Sequence, residues 1–254
     1  MRILENKGLL LKLRNPSKIT TAIPDSKDLG NNNVLVRWGV DEARVLRNLN
    51  VKNVPSPILG KYKWPGRFSP FDHQKTTASF LTMNRRAFCF NEQGTGKTGS
   101  AIWAADFLLQ QKVIKRVLIV CPLSIMESAW GGDLFNFAMH RSVDIAHGSK
   151  RKRQQIINGD AEFVIINYDG IEIVEEEIAN GGFDLIIIDE ATHYKNAQSK
   201  RWKVMNRLLT PDIWLWMMTG TPAAQSPLDA YGLAKLINPK GVPRFFGAFR
   251  ELVM

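Results

Sequence analysis

The 254-residue chain has two cysteines, Cys89 and Cys121, and they fall in no CxxC or Cys/His spacing. That gives no basis for a disulfide framework or a structural metal centre and points to a reducing compartment. No apolar run approaches the roughly 18 residues that span a bilayer. The opening MRILENKGLLLKLRNPSK breaks its short apolar stretch with Lys12 and Arg14, so it does not read as a signal peptide. The expected location is therefore intracellular, cytoplasmic or nucleoid/nuclear, with no membrane partner. Internal repeats and low-complexity tracts are also absent. Acidic residues are in deficit, 24 against 34 lysines and arginines, for a net charge of +10. Such an excess favours a polyanionic partner but says nothing about fold. Its densest cluster, Lys150 to Arg153, reads equally as a solvated helix turn or as a phosphate contact.

What is present is concentrated in residues 91–98, NEQGTGKT. Gly94 and Gly96 precede Lys97 and Thr98, with an apolar run (87–90) before them and a helix-like segment after. A strand, a tight loop and a helix in that order turn backbone N–H groups toward phosphate oxygens, and the helix N-terminus adds partial positive charge. Gly94, Thr95, Gly96, Lys97 and Thr98 are the expected ATP-binding loop. Lys97 would meet the β- and γ-phosphates and the Thr98 hydroxyl would hold Mg²⁺. Asn91 stands where the general pattern has glycine.

From residue 86 onward, short β-rich runs (87–90, 116–121, 143–146, 163–166, 185–188 and 213–217) alternate with helical segments (97–109, 125–137, 150–157, 171–179 and 200–208). Runs such as VLIV and LIIID are apolar on both faces, as in a parallel sheet covered by helices on each side. The implied fold is α/β, a three-layer sandwich with a mostly parallel sheet, whose ligands bind at the carboxyl ends of the strands. Residues 1–65 read differently, as a small α+β extension with a helix at 41–49 and a Pro/Gly linker near 55–66. Residues 66–254 form the nucleotide-binding lobe.

The second half of the site is expected in FDLIIIDEATHYKN, where an apolar strand ends in Asp189 and Glu190. Asp189 is placed to bind Mg²⁺ and Glu190 to take a proton from an attacking water. Lys97, Asp189 and Glu190 are thus the candidate catalytic residues, with Thr98 and Asp189 on the metal.

NEQGTGKT and DEATHYKN together resemble motifs I and II of superfamily 2 helicases and translocases, most closely the Swi/Snf-like branch, whose lobes have a RecA-like P-loop fold. Thr192 departs from that branch's histidine, and His193 follows one position later. The resemblance implies ATP and Mg²⁺ as cofactors. It implies further that Gln74 in FSPFDHQ binds the adenine edge, with Phe71 shaping the pocket. Pro122, Leu123 and Ser124 at motif Ia, with Asn167 and Tyr168 at motif Ib, are the implied nucleic-acid contacts; Asn167 and Tyr168 serve equally well to close a turn. Thr219, Gly220 and Thr221 in MMTGTPAAQSPLDAYGLAKLINP resemble motif III, which couples the γ-phosphate to the nucleic-acid track through the Asp189 and Glu190 strand end. Trp130, Trp214 and Trp216 read as core.

The resemblance covers residues 68 to about 240, one lobe of a two-lobed motor. It implies an N-terminal lobe of a DNA helicase or translocase that needs a second RecA-like lobe, with its arginine finger, for rapid ATP hydrolysis. A nucleotide-gated binding or interaction module and an RNA helicase lobe are the alternatives.

Overall fold

The computed structural model describes residues 1–222 and 225–254. In the N-terminal part, strands β1 (Arg2–Leu4), β2 (Gly8–Lys12), β3 (Lys27–Asp28) and β4 (Asn33–Arg37) form an antiparallel sheet in the order β1-β2-β4-β3. Alternation decides its faces. Leu9, Leu11, Val34 and Val36 are buried, while Leu10, Lys12, Asn33 and Arg37 point the other way. Helices α1 (Pro16–Ala22) and α2 (Val40–Asn48) cover the buried face with Ile19, Ala43 and Leu46.

A short helix α3 (Ile58–Lys61) leads into α4 (Asp72–Met83). Two buried polar contacts tie residues 56–62 to helices farther along the chain. The Ser56 and Thr82 hydroxyls lie 2.7 Å apart, and the Tyr62 hydroxyl donates to Asp106. Asp106 is 2% exposed, and it also accepts from Arg141, which reaches Glu162, and contacts His140.

The remaining strands are β5 (Arg86–Cys89), β6 (Val117–Cys121), β7 (Val143–Ala146), β8 (Phe163–Asn167), β9 (Leu185–Ile188) and β10 (Trp214–Met218). They make one sheet in the order β5-β10-β9-β6-β8-β7, and every pairing is parallel. Ala87, Ile119, Ile165, Ile187 and Trp216 face one apolar layer. Their neighbours Leu118, Ile166, Ile188 and Met217 face the other. Helix α5 (Lys97–Gln110), buried from Gly99 to Leu109, and α6 (Gly132–Ala138) fill the first layer. Helices α7 (Lys150–Ile157), α8 (Tyr168–Ile173), α9 (Glu175–Asn180), α10 (Lys200–Leu208) and α11 (Ala230–Ile237) lie along the sheet's other connections, and α12 (Phe246–Val253) closes the chain. Trp214 and Trp216 are core, as their strand register implied.

Two helices differ from the sequence reading. The segment 125–137 is a 3₁₀ turn (Leu123–Ile125), a π-helical turn (Met126–Gly131) and then α6, because the Gly131–Gly132 pair weakens a continuous α-helix. The segment 171–179 breaks at Val174, which is buried outside helical geometry, and α9 restarts on Glu175, Glu176 and Glu177 in its first turn. Among the described residues, no helix is long and apolar enough to cross a membrane.

Candidate nucleotide site

Strand β5 delivers the chain into residues 90–96 and α5 takes it away. Gly94 and Gly96 have φ of 78° and 73°, the left-handed region that disfavours side chains. At Gly96 there is a second reason for glycine, since a Cβ would overlap the Gln74 side-chain amide. At Gly94 a Cβ would meet nothing within 4 Å, so the loop's backbone is approachable there. The first amide of this turn to find a backbone acceptor is that of Ser100, which donates to the Gly96 carbonyl at 3.1 Å. No acceptor is recorded among the described residues for the N–H groups of Lys97, Thr98 or Gly99. Three unpaired donors at the start of a fourteen-residue helix fit an anionic ligand.

The loop is braced from inside. Lys97 Nζ donates to the carbonyls of Asn91 (2.9 Å) and Glu92 (2.8 Å), and Thr95 Oγ1 donates to the Glu92 carbonyl. Asn91 Nδ2 donates to Thr77 Oγ1, and His73 Nε2 lies 3.0 Å from the Thr95 carbonyl. Gln74 is buried, its Oε1 accepts the Phe71 N–H at 2.9 Å, and its amide nitrogen lies against Gly96. In this structure Gln74 supports the phosphate loop. Phe71 is exposed and stacked on the His73 ring.

Across the sheet, β10 lies between β5 and β9. Buried Thr219 continues β10 and donates its N–H to the Cys89 carbonyl. Its Oγ1 accepts from the Thr221 N–H, and a Cβ on Gly220 would lie 3.4 Å from Gln93 Cγ. Thr219 and Gly220 therefore sit against the phosphate-loop strand. No hydrogen bond from Thr219, Gly220 or Thr221 to Asp189 or Glu190 is recorded among the described residues. Ala223 and Ala224 of the same segment lie outside the described residues.

Asp189 caps β9 with its carboxylate 8% exposed. Oδ2 accepts from Trp130 Nε1 at 2.9 Å and Oδ1 accepts the Glu190 N–H at 3.0 Å. Burial holds its pKa above the ordinary carboxylate range, against the opposing effects of the Trp130 and Glu190 donors and the nearby Lys97 charge. Glu190 adopts φ 45°, ψ 57°, a left-handed backbone that is strained for a non-glycine residue.

Trp130 is the residue that sequence reasoning placed only as core. It is fully buried, yet its indole N–H belongs to the acidic end of the site. Its spacing from Pro122 gave no cue, because the π-helical turn sets which way it faces.

Asn167 and Tyr168, which the sequence offered either as phosphate contacts or as turn residues, are both buried. Asn167 Oδ1 accepts from Arg153 Nη1 at 2.9 Å, and the Tyr168 hydroxyl donates to the Asp189 carbonyl at 2.6 Å. Tyr168 thereby ties α8 to the strand end that carries Asp189, and Asn167 ties β8 to Arg153. Arg153 likewise leaves the basic cluster of Lys150 to Arg153: it is 6% exposed and also donates to the Ala146 and Gly148 carbonyls. Leu123 and Ser124, by contrast, are exposed and Pro122 partly so. His193 packs at a tilt against Tyr168, with 4.5 Å between ring centroids, and burial followed by the Arg201 charge lowers its pKa.

The SNF2-related domain family model matches residues 73–252, which contain both halves of this site apart from Phe71. The chain belongs to the SNF2-related domain family. Among curated relatives of this SNF2-related chain, a Drosophila melanogaster SWI/SNF-related matrix-associated actin-dependent regulator of chromatin subfamily A-like protein 1 is 25% identical over 178 residues, 70% of this chain and 23% of the relative. A Gallus gallus DNA repair and recombination protein RAD54-like is 26% identical over 210 residues, 73% of this chain and 27% of the relative. The SNF2-related chain thus spans about a quarter of the length of these relatives. A Sulfolobus solfataricus SWI2/SNF2 ATPase core solved in complex with dsDNA superposes with a TM-score of 0.64 at 22% identity, covering 74% of this chain and 39% of that one. The RecA-like α/β fold is common to both.

Proposed function

We propose that this SNF2-related lobe is the ATP-binding half of a DNA translocase or helicase, in which Mg-ATP hydrolysis drives movement on DNA. The observation that carries the reading is the convergence of the phosphate loop, Thr219 and the Asp189–Glu190 turn at the carboxyl ends of the adjacent strands β5, β10 and β9. The N–H groups of Lys97, Thr98 and Gly99 bind phosphate oxygens, and Lys97 Nζ exchanges its loop carbonyls for the β- and γ-phosphates. The Thr98 hydroxyl and Asp189 hold Mg²⁺. Thr98 and Asp189 would supply the protein's ligands to such an ion, which typically keeps waters and substrate phosphate oxygens in its shell. Bound Mg²⁺ supplies charge neutralisation on the phosphates. Glu190 takes the proton of the attacking water, while Thr219, Gly220 and Thr221, next to the phosphate-loop strand, relay the state of the γ-phosphate toward the nucleic-acid track. The exposed Pro122, Leu123 and Ser124 turn faces the DNA backbone. Residues 1–65 are an extension of the lobe that begins at 66.

A second RecA-like lobe supplies the arginine finger, a contribution of about 10³ to 10⁵ in rate. The 254-residue chain is accordingly expected to bind a fluorescent ATP analogue in a Mg²⁺-dependent manner and to turn ATP over slowly. Lys97→Ala abolishes binding, and Glu190→Gln retains binding while removing residual hydrolysis. Unchanged nucleotide affinity in Lys97→Ala would overturn the site. Strong DNA-stimulated turnover by the isolated chain would overturn the need for a second lobe. Preferential stimulation by RNA would favour the RNA helicase reading.

A further inference from the structure

The chain's charge is unevenly placed. Residues 1–65 carry twelve lysines and arginines against five carboxylates, which is +7 of the total +10. At one pole of the N-terminal sheet, the end of β2 and the loop after α2 enclose an open cleft of about 770 Å³, onto which Lys12, Arg14, Lys18 and Lys52 project. No carboxylate lines it, and all four cations are exposed. Among the described residues none of the four is in an ion pair. From Lys12 the cationic surface continues onto the open face of the sheet. Strand register puts Arg2, Leu10, Leu35 and Lys27 in one row there, and Gly8 beside Arg37 in the next. Arg37 is shared with Glu42, and Glu5 and Asp25 border this face, so the cleft end is the more cationic.

We infer that this pole and the adjoining sheet face form a second nucleic-acid contact, one that grips the phosphate backbone of duplex DNA. The inference deepens the nucleic-acid half of the proposed function and does not depend on its nucleotide half. Four unpaired cations around one cleft complement a polymer that carries one negative charge per about 1.7 Å of duplex. The choice of duplex over single strand comes from what the surface lacks. The one aromatic residue in positions 1–61 is Trp38, which is buried. Sequence-tolerant single-strand binders stack bases on exposed aromatic rings, and this surface has none to offer. The binding is therefore electrostatic and blind to sequence.

The test is fluorescence anisotropy of the full chain on labelled DNA duplex, across a series of salt concentrations. The variant carries Lys12→Gln, Arg14→Gln, Lys18→Gln and Lys52→Gln. A control with the same loss of charge carries Lys112→Gln, Lys115→Gln, Lys203→Gln and Lys240→Gln on the lobe. Each phosphate contact contributes about 0.9 to the slope of log affinity against log salt, so the cleft variant should lose about 3 to 4 from that slope and at least about ten-fold in affinity. Its thermal unfolding and its nucleotide binding should match the parent chain, and the lobe control should keep most of the slope. A slope change below about one, or an equal loss in the lobe control, overturns the inference. So does binding of single-stranded DNA or duplex RNA about ten-fold tighter than duplex DNA. Nucleotide binding is read on the same samples. Its absence from the parent chain would sink the ATP-site reading and leave this one standing.

Discussion

Replacing Trp130 by phenylalanine tests whether the indole N–H fixes the carboxylate at the end of β9. The substitution keeps an aromatic ring in a fully buried position and removes one donor, the one held 2.9 Å from Asp189 Oδ2. A hydrogen bond to a charged group contributes about 1.5 to 3 kcal/mol, and its loss leaves a buried carboxylate oxygen short of a partner. Trp→Phe also loses packing, and the structure provides a control for that. Trp103 is equally buried, and its Nε1 donates to a neutral acceptor, the Pro65 carbonyl, at 2.9 Å. Trp103→Phe should show the packing loss plus a neutral hydrogen bond of about 0.5 to 1.5 kcal/mol. Urea unfolding at neutral pH should thus place Trp130→Phe below Trp103→Phe by about 1 kcal/mol. The site adds a second readout. Groups that orient a metal-binding carboxylate typically account for about 10- to 100-fold in metal affinity. The Mg²⁺ concentration for half-maximal binding of a fluorescent ATP analogue should rise by that factor in Trp130→Phe and stay unchanged in Trp103→Phe. Equal unfolding losses in the two variants, together with an unmoved Mg²⁺ midpoint, would refute the reasoning.

Asp106→Asn removes the charge shared by Arg141, His140 and Tyr62 in a nearly solvent-free position, and breaking such a buried pair should cost about 3 to 5 kcal/mol in urea unfolding. Both thiols are buried, and desolvation pushes Cys121 up to about 12, so a disulfide reagent at pH 8 should label neither cysteine until the chain is denatured, when both react. His193 has a folded pKa below its ordinary value, so its protonation opposes folding. Stability should be unaffected by it above the ordinary histidine value of about 6.5 and fall as pH drops through the window below, and His193→Gln should flatten the pH dependence of Tm there.

The central strands of the parallel sheet were legible because they are apolar on both faces, and 185–188 carries the same bounds in sequence and structure. The loop and the acidic pair were legible because glycine geometry and strand-end carboxylates are local properties of the chain. The brace was not. Trp130, Tyr168 and Arg153 look like core, turn and surface residues, and they reach Asp189 or Asn167 only because the topology folds distant segments together. Gln74 illustrates the same limit. Its position at a helix start, and with it the local Phe71 cap, was readable, but its packing against Gly96 depends on where α4 crosses α5.

The Tyr62 to Asp106 contact has a mechanical consequence. Asp106 lies on α5 nine residues beyond Lys97, about 14 Å along one helical rod at 1.5 Å per residue. Tension applied to the first 65 residues would be borne toward the far end of the same helix whose first turn is the proposed phosphate contact. A pull on the N-terminal sheet and a push from the phosphates thus load a single beam from opposite ends.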